Sequence, residues 1–346
     1  MKQMTLGDTG PKVSALCLGT MTWGNQTPET DAHAQIDLAA ERGVTFMDTA
    51  EIYPVNPVRA ETVGRTEEVI GNWIAKGGKR DDWIIATKIG GEGGAARGGE
   101  PITPASIRKA VENSLKRLRT DHVDLYQFHW PNRGSYHFRK AWTYEPFRQD
   151  KAEVVAEMEA CLGAIAELVE AGKIRHWGLS NESSWGMAQW LRLADEGIGP
   201  RPVSLQNEYS LLCRHYDTDL AELGQAEKVT LLAFSPVAAG LLTGKYAGDV
   251  IPAGSRRELN PELGGRITPR VWEAVSAYLG IANRAGIDPA QMALAWVLTR
   301  PFPALPIFGA TKREQLENAL GATDLVLSDE VRAEISAAHK AHPMPY

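Results

Sequence analysis

Cysteine is scarce in this sequence. Cys17, Cys161 and Cys213 stand far apart and form no CxxC pair. That spacing excludes a disulfide framework and suits reduced thiols, so a cytoplasmic protein is expected. No apolar run approaches the roughly 20 residues that a membrane helix requires. The start, Met1 to Asp8, shows no apolar signal region, so neither membrane insertion nor export is expected. A basic excess is missing too: 37 Lys and Arg face 43 Asp and Glu, for a formal charge of −6. A phosphate backbone attracts a basic face, so nucleic acid is not the expected partner. The 8 histidines form no HxH and no HExxH, and no Cys–His pair has ligand spacing, so no metal site is expected. There is no G-x-S-x-G for a hydrolase, no linker, and no repeat at a period of tens of residues.

What the chain does have is a set of apolar runs that end on reactive side chains. Val44 to Asp48 reads as a buried parallel strand, with Tyr53 five residues beyond its end. Taken alone, Asp48 is equally well explained as a strand terminator and Tyr53 as loop packing. Trp83 to Lys88, Val123 to His129 and Ile174 to Asn181 repeat the pattern with Lys88, His129 and Ser180-Asn181 at their ends. In a barrel of parallel strands such ends converge on one mouth.

The remaining patterns alternate in the same way. Ser14–Gly19 reads as the first barrel strand, and a helix is predicted over Thr30–Arg42 with Thr27 or Thr30 as its cap. Thr103 and Pro104 open a helix running to Leu118. Eight strands alternating with helices predict one (β/α)8 barrel over residues 1–346. In residues 90–99, Gly91, Gly93 and Ala96 match a dinucleotide fingerprint, but no helix opens there, so a flexible loop is predicted. Residues 131–150 form a long connection rich in aromatics, read as part of a substrate pocket.

Seven segments carry a resemblance. They are Leu18-Gly19-Thr20-Met21, Asp48 to Tyr53, Thr87-Lys88, His129-Trp130, Gly172 to Asn181, Gln206 to Ser210 and Gly240 to Tyr246. In this order they resemble the aldo-keto reductase superfamily over nearly the whole chain. The details are most similar to its bacterial Tas-type branch, which is close to potassium-channel beta subunits. The resemblance implies an α/β TIM barrel, with an N-terminal hairpin at Gly7–Pro11 closing its bottom and extra C-terminal helices.

It also implies NADPH-dependent reduction of aldehydes or ketones. Tyr53 would donate the proton, Lys88 would lower the phenol's pKa from about 10, Asp48 would hold Lys88, and His129 would polarise the carbonyl oxygen. Trp23 and Trp130 would wall the substrate pocket. The resemblance places Thr20 and Met21 beside the nicotinamide, Ser180, Asn181 and Gln206 on its carboxamide, and Phe234 against its ring. Ser235, Pro236, Val237, Ala238, Leu241 and Lys245 would follow the pyrophosphate, with Arg256 folding over it. Gly240 to Lys245 is one residue short of a P-loop, and Tyr246 replaces its Ser or Thr.

Gly309, Thr311 and Gln315 would meet the adenosine 2'-phosphate. There Lys312, Arg313 and a helix N-terminus suit a dianion, which favours NADP over NAD. Where relatives usually carry Glu-Asn on adenine, this chain has Asn318 and Ala319. The partner implied is a small carbonyl compound, and a homo-oligomer is compatible with the sequence. The alternative is an NADPH-binding sensor attached to a partner, as the channel subunits are. Those relatives lack the histidine that stands here as His129.

Overall fold

Short apolar strands separated by amphipathic helices close on themselves. The computed structural model describes residues 1–346. In chain order the elements begin with β1 (Gln3–Thr5), β2 (Lys12–Ser14), β3 (Cys17–Gly19), α1 (Glu29–Glu41), β4 (Phe46–Asp48), α2 (Arg65–Ala75) and β5 (Ile84–Ile89). Next come α3 (Pro104–Leu118), β6 (Val123–Phe128), α4 (Lys151–Glu170), β7 (Ile174–Ser180), α5 (Ser184–Asp195) and β8 (Ser204–Glu208). The chain continues through α6 (Asp219–Ala226), β9 (Thr230–Phe234), α7 (Arg256–Leu259), α8 (Val271–Ala285) and α9 (Pro289–Leu298). It ends with β10 (Ala304–Phe308), α10 (Arg313–Leu320) and α11 (Asp329–Ala341). Strands β3 to β10 form a closed parallel barrel in which β10 pairs with both β3 and β9. This is the (β/α)8 TIM barrel.

The antiparallel pair β1–β2 caps the strand starts. Leu6 and Val13 are fully buried against the barrel interior, with Phe46, Ala86, Leu125, Leu232 and Leu305. The main-chain N–H of Gly7 donates to Thr230 Oγ1 at the start of β9. The hairpin therefore fills the bottom. A second, larger apolar layer lies between barrel and helices. No helix is long and apolar enough to cross a membrane.

Three local expectations change. The stretch Ser14–Gly19 is not one strand. Ser14 ends β2, where its hydroxyl accepts from Thr45 N–H and donates to Leu16 O, leaving only Cys17–Gly19 in the barrel. Helix α1 starts at Glu29 after Pro28, with no side-chain cap, while the Thr27 hydroxyl pairs with that of Thr22. The glycine-rich segment is not loose. Buried Arg97 pairs with Glu51 and donates to Gly90 O, and Glu51 accepts from Gly90 N–H at 2.7 Å. Thr103 does cap α3, in a reciprocal box with Ser106.

Candidate active site

Side chains two apart on a strand share a face. Phe46, Ala86 and Leu125 fill the barrel interior. Two residues further on, Asp48, Lys88 and Gln127 put a polar layer above that apolar one. Gln206 joins it from β8. Asp48 Oδ2 lies 2.6 Å from Lys88 Nζ, and Oδ1 accepts from Gln127 Nε2 at 3.1 Å and Gln206 Nε2 at 2.9 Å. Lys88 also donates to Thr49 O at 2.8 Å. Two of its three N–H donors are thus committed. Its Nζ stands 5.1 Å from the centre of the Tyr53 ring.

Burial works against the Lys88 ammonium, yet Asp48 and Tyr53 together hold its pKa above the ordinary value. The phenol departs from expectation. Burial pushes Tyr53 up, Lys88 pulls it down and Asp48 pushes it up again, so it titrates above, not below, an ordinary tyrosine. The expected lowering by Lys88 is present but is outweighed by desolvation.

His129 follows β6 directly, its ring edge-on to Tyr53 at 5.8 Å between centres. Burial and the Lys88 charge hold its pKa well below the ordinary value, so the imidazole is neutral. Its buried Nδ1 has no hydrogen-bond partner. A neutral imidazole beside a protonated phenol is equipped to donate to, or orient, a carbonyl oxygen.

The two tryptophans part company. Trp130 is half-buried and tilted against His129 at 4.9 Å, and its indole N–H donates to Glu92 O. A Cβ on Gly91 would stand 2.5 Å from Trp130 Cδ1, so the glycines make a bed for this indole. Trp23, by contrast, is fully buried in the outer core, bonded to Gln35 at 3.4 Å. It does not wall the mouth, because the chain turns it inward between the barrel and α1.

The nicotinamide-side candidates are heavily bonded to one another. Thr20 donates to Asp48 O, and Ser180 to Gln206 O. Met21 is half-buried at the rim. Asn181 has a left-handed backbone (φ 54°) and donates to His129 O, while its buried Oδ1 has no partner. That orphaned acceptor fits a carboxamide N–H, whereas the Gln206 amide is turned to Asp48 and Gln127. Phe234 is half-buried at the end of β9.

Beyond Phe234 the backbone is left-handed at Ser235, Ala238, Ala239 and Gly240. The turn is held by its own main chain: the N–H groups of Ala238 and Gly240 donate to Ser235 O and Val237 O. Pro236, Ala238 and Leu241 are buried, whereas Val237 is half-buried and Lys245 is exposed. Arg256 is half-buried, with a buried Nε that has no partner. Burial and the nearby Arg266 and Arg139 lower its pKa to about 10. An unpaired cation of this kind fits a pyrophosphate.

Past β10, Gly309 is exposed, and a Cβ there would stand 2.7 Å from Gly19 O. Thr311 donates its N–H and hydroxyl to Gln315 Oε1. Helix α10 then opens at Lys312 without a side-chain cap, which suits an anion. Asn318 is half-buried, and its Oδ1 accepts from Gln291 Nε2 at 2.8 Å.

Sequence reasoning missed Gln127, although its place midway between Leu125 and His129 on one face signals it. It also missed the cluster of Glu208, Arg139 and Arg266, whose members lie far apart in the chain. No group of three or more His, Cys, Asp or Glu side chains is placed to hold a metal ion.

The aldo/keto reductase family model matches residues 15–340. Protein tas of Escherichia coli is 45% identical over 341 residues, covering 96% of each chain. A probable voltage-gated potassium channel subunit beta of Arabidopsis thaliana is 31% identical, covering 94% of this chain and 92% of its own. The aldo-keto reductase yakc [NADP(+)] of Schizosaccharomyces pombe is 31% identical, covering 96% of this chain and 89% of its own. With matches that run almost end to end, the chain belongs to the aldo/keto reductase family.

Proposed function

We propose that this protein, as a single barrel domain of the cytoplasm, reduces aldehydes or ketones with NADPH. The observation that carries the reading is the neutral His129 ring standing edge-on to Tyr53, with the buried Lys88–Asp48 pair beneath. When bound, the nicotinamide supplies the hydride to the carbonyl carbon. His129 holds the carbonyl oxygen in place, and Tyr53 gives it a proton. Lys88 keeps the resulting phenolate from being prohibitively costly in a buried site. Asp48, fixed by Gln127 and Gln206, keeps Lys88 charged and aimed. Trp130 walls the substrate side. NADPH over NADH is supported by the uncapped start of α10 beside Lys312, and by the NADP(+) in the name of the yeast relative.

The test is NADPH consumption with 4-nitrobenzaldehyde by wild type and Tyr53→Phe, beside titrations of NADPH and NADH. We expect turnover to fall by roughly 10²–10⁴ in the variant, with NADPH binding retained. Tight binding without turnover in the wild type would favour a sensor instead. No binding of either nucleotide would overturn the reading.

A further inference from the structure

Two long connections, residues 131–150 and 247–270, meet at the mouth. Arg139 comes from the first and Arg266 from the second, and both grip the carboxylate of Glu208 at the end of β8. Arg139 Nη1 lies 2.8 Å from Glu208 Oε2, and Arg266 Nε lies 2.9 Å from Oε1. The Glu208 and Arg266 side chains are only 5% and 4% exposed. Tyr346 adds its hydroxyl to Glu208 Oε1 at 3.3 Å.

The loops also touch directly. Arg139 Nε donates to Gly264 O at 2.6 Å, and the Arg270 guanidinium lies 5.4 Å from the centre of the Trp142 ring. Gly264 is left-handed (φ +67°), and a Cβ there would stand 2.9 Å from Arg139 Nη2. On its other side Arg266 Nη2 reaches Ser235 Oγ at 3.3 Å. A chain of polar contacts thus runs from the 131–150 loop to the turn after β9.

We infer that Glu208 couples the two loops. Arg139 sits on a loop with no candidate cofactor contact of its own. Through Glu208 and Arg266 it is a positioning residue for the nucleotide. The inference rests on the nucleotide-binding reading above. Its physical basis is that charge-assisted bonds to one buried carboxylate fix direction as well as distance. Removing one partner leaves the others without their geometry.

The test measures NADPH affinity and release for wild type, Arg139→Met, Glu208→Gln and the double variant, with thermal midpoints taken without nucleotide. We expect Arg139→Met to raise the Kd for NADPH by about tenfold through faster release. The double variant is expected to be no worse than Glu208→Gln alone. Arg139→Lys keeps the charge but cannot span both Gly264 O and Glu208, so it gives an intermediate rise. It stands in should the Met variant fail to fold. Unchanged NADPH binding and release in Arg139→Met, or effects that simply add in the double variant, would overturn the coupling. A midpoint that falls while NADPH release stays at the wild-type rate would overturn it too. A wild type that binds neither NADPH nor NADH would overturn the nucleotide reading as well, a result visible without any variant.

Discussion

Gln206 donates its side-chain amide to Asp48 at 2.9 Å, joining residues 158 positions apart in the chain. Together with Gln127 it occupies the Asp48 oxygen that Lys88 does not use. Replacing Gln206 by Leu removes a bond to a charged group, worth about 1.5–3 kcal/mol. The expected outcome is weaker NADPH binding and slower turnover together, read from a nucleotide titration and steady-state kinetics.

Asp48→Asn leaves the Lys88 ammonium buried without its counter-charge. Breaking such a pair costs about 3–5 kcal/mol. Lys88 then loses the partner that holds its pKa up. We expect a lower urea midpoint and turnover reduced by roughly 10²–10⁴. A variant as stable and as active as wild type would remove Asp48 from the proposed mechanism.

The pH profile follows from two directions. Tyr53 is raised by burial, so it keeps its proton through the neutral range, and His129 is lowered, so it stays uncharged there. Carbonyl reduction should therefore be flat on these groups between about pH 6 and pH 9, and should fall only as Tyr53 ionises above about pH 10. Alcohol oxidation needs the phenolate and should rise over that same alkaline range. Rates measured in both directions across pH check the opposed signs.

Gly91 and Trp130 give a steric prediction. An alanine Cβ at 91 would stand 2.5 Å from Trp130 Cδ1 and 2.6 Å from the Trp130 main-chain oxygen. Gly91→Ala should cost about 1–3 kcal/mol of stability through overpacking. It should also change KM for bulky aldehydes more than for small ones, because the indole that leans on His129 is displaced. Thermal midpoints and a KM series across aldehyde sizes test this.

His137 couples stability to acid. It is buried, its Nε2 lies 3.0 Å from Glu182 O, and burial lowers its pKa from 6.5 to about 4. The unfolded chain then binds more protons between these values. The stabilisation is fully present above pH 6.5 and is lost as pH falls towards about 4, amounting to roughly 3 kcal/mol. His137→Gln, which cannot ionise, should flatten that part of the curve of urea midpoint against pH.

The barrel was legible because buried parallel strands leave a local trace: short apolar runs, stops at Gly and Pro, helices between. The ends of those runs named Asp48, Lys88 and His129, and Tyr53 followed from the loop beyond one of them. The boundary at Ser14 was not legible, since its side-chain bond to Thr45 bridges 31 positions. Nor was the order imposed on residues 90–99, which depends on Arg97 reaching Glu51.

By itself, then, the sequence determined the alternation of strand and helix and which reactive groups stand at the strand ends, because both depend on spacing along one chain. Only the tertiary structure decided that Gln127 and Gln206 converge on Asp48, that Trp23 is hidden while Trp130 faces His129, and that Tyr53 titrates above its ordinary value. Those outcomes depend on strand register, on packing and on the balance between desolvation and charge. Each is set by groups brought together from distant parts of the chain.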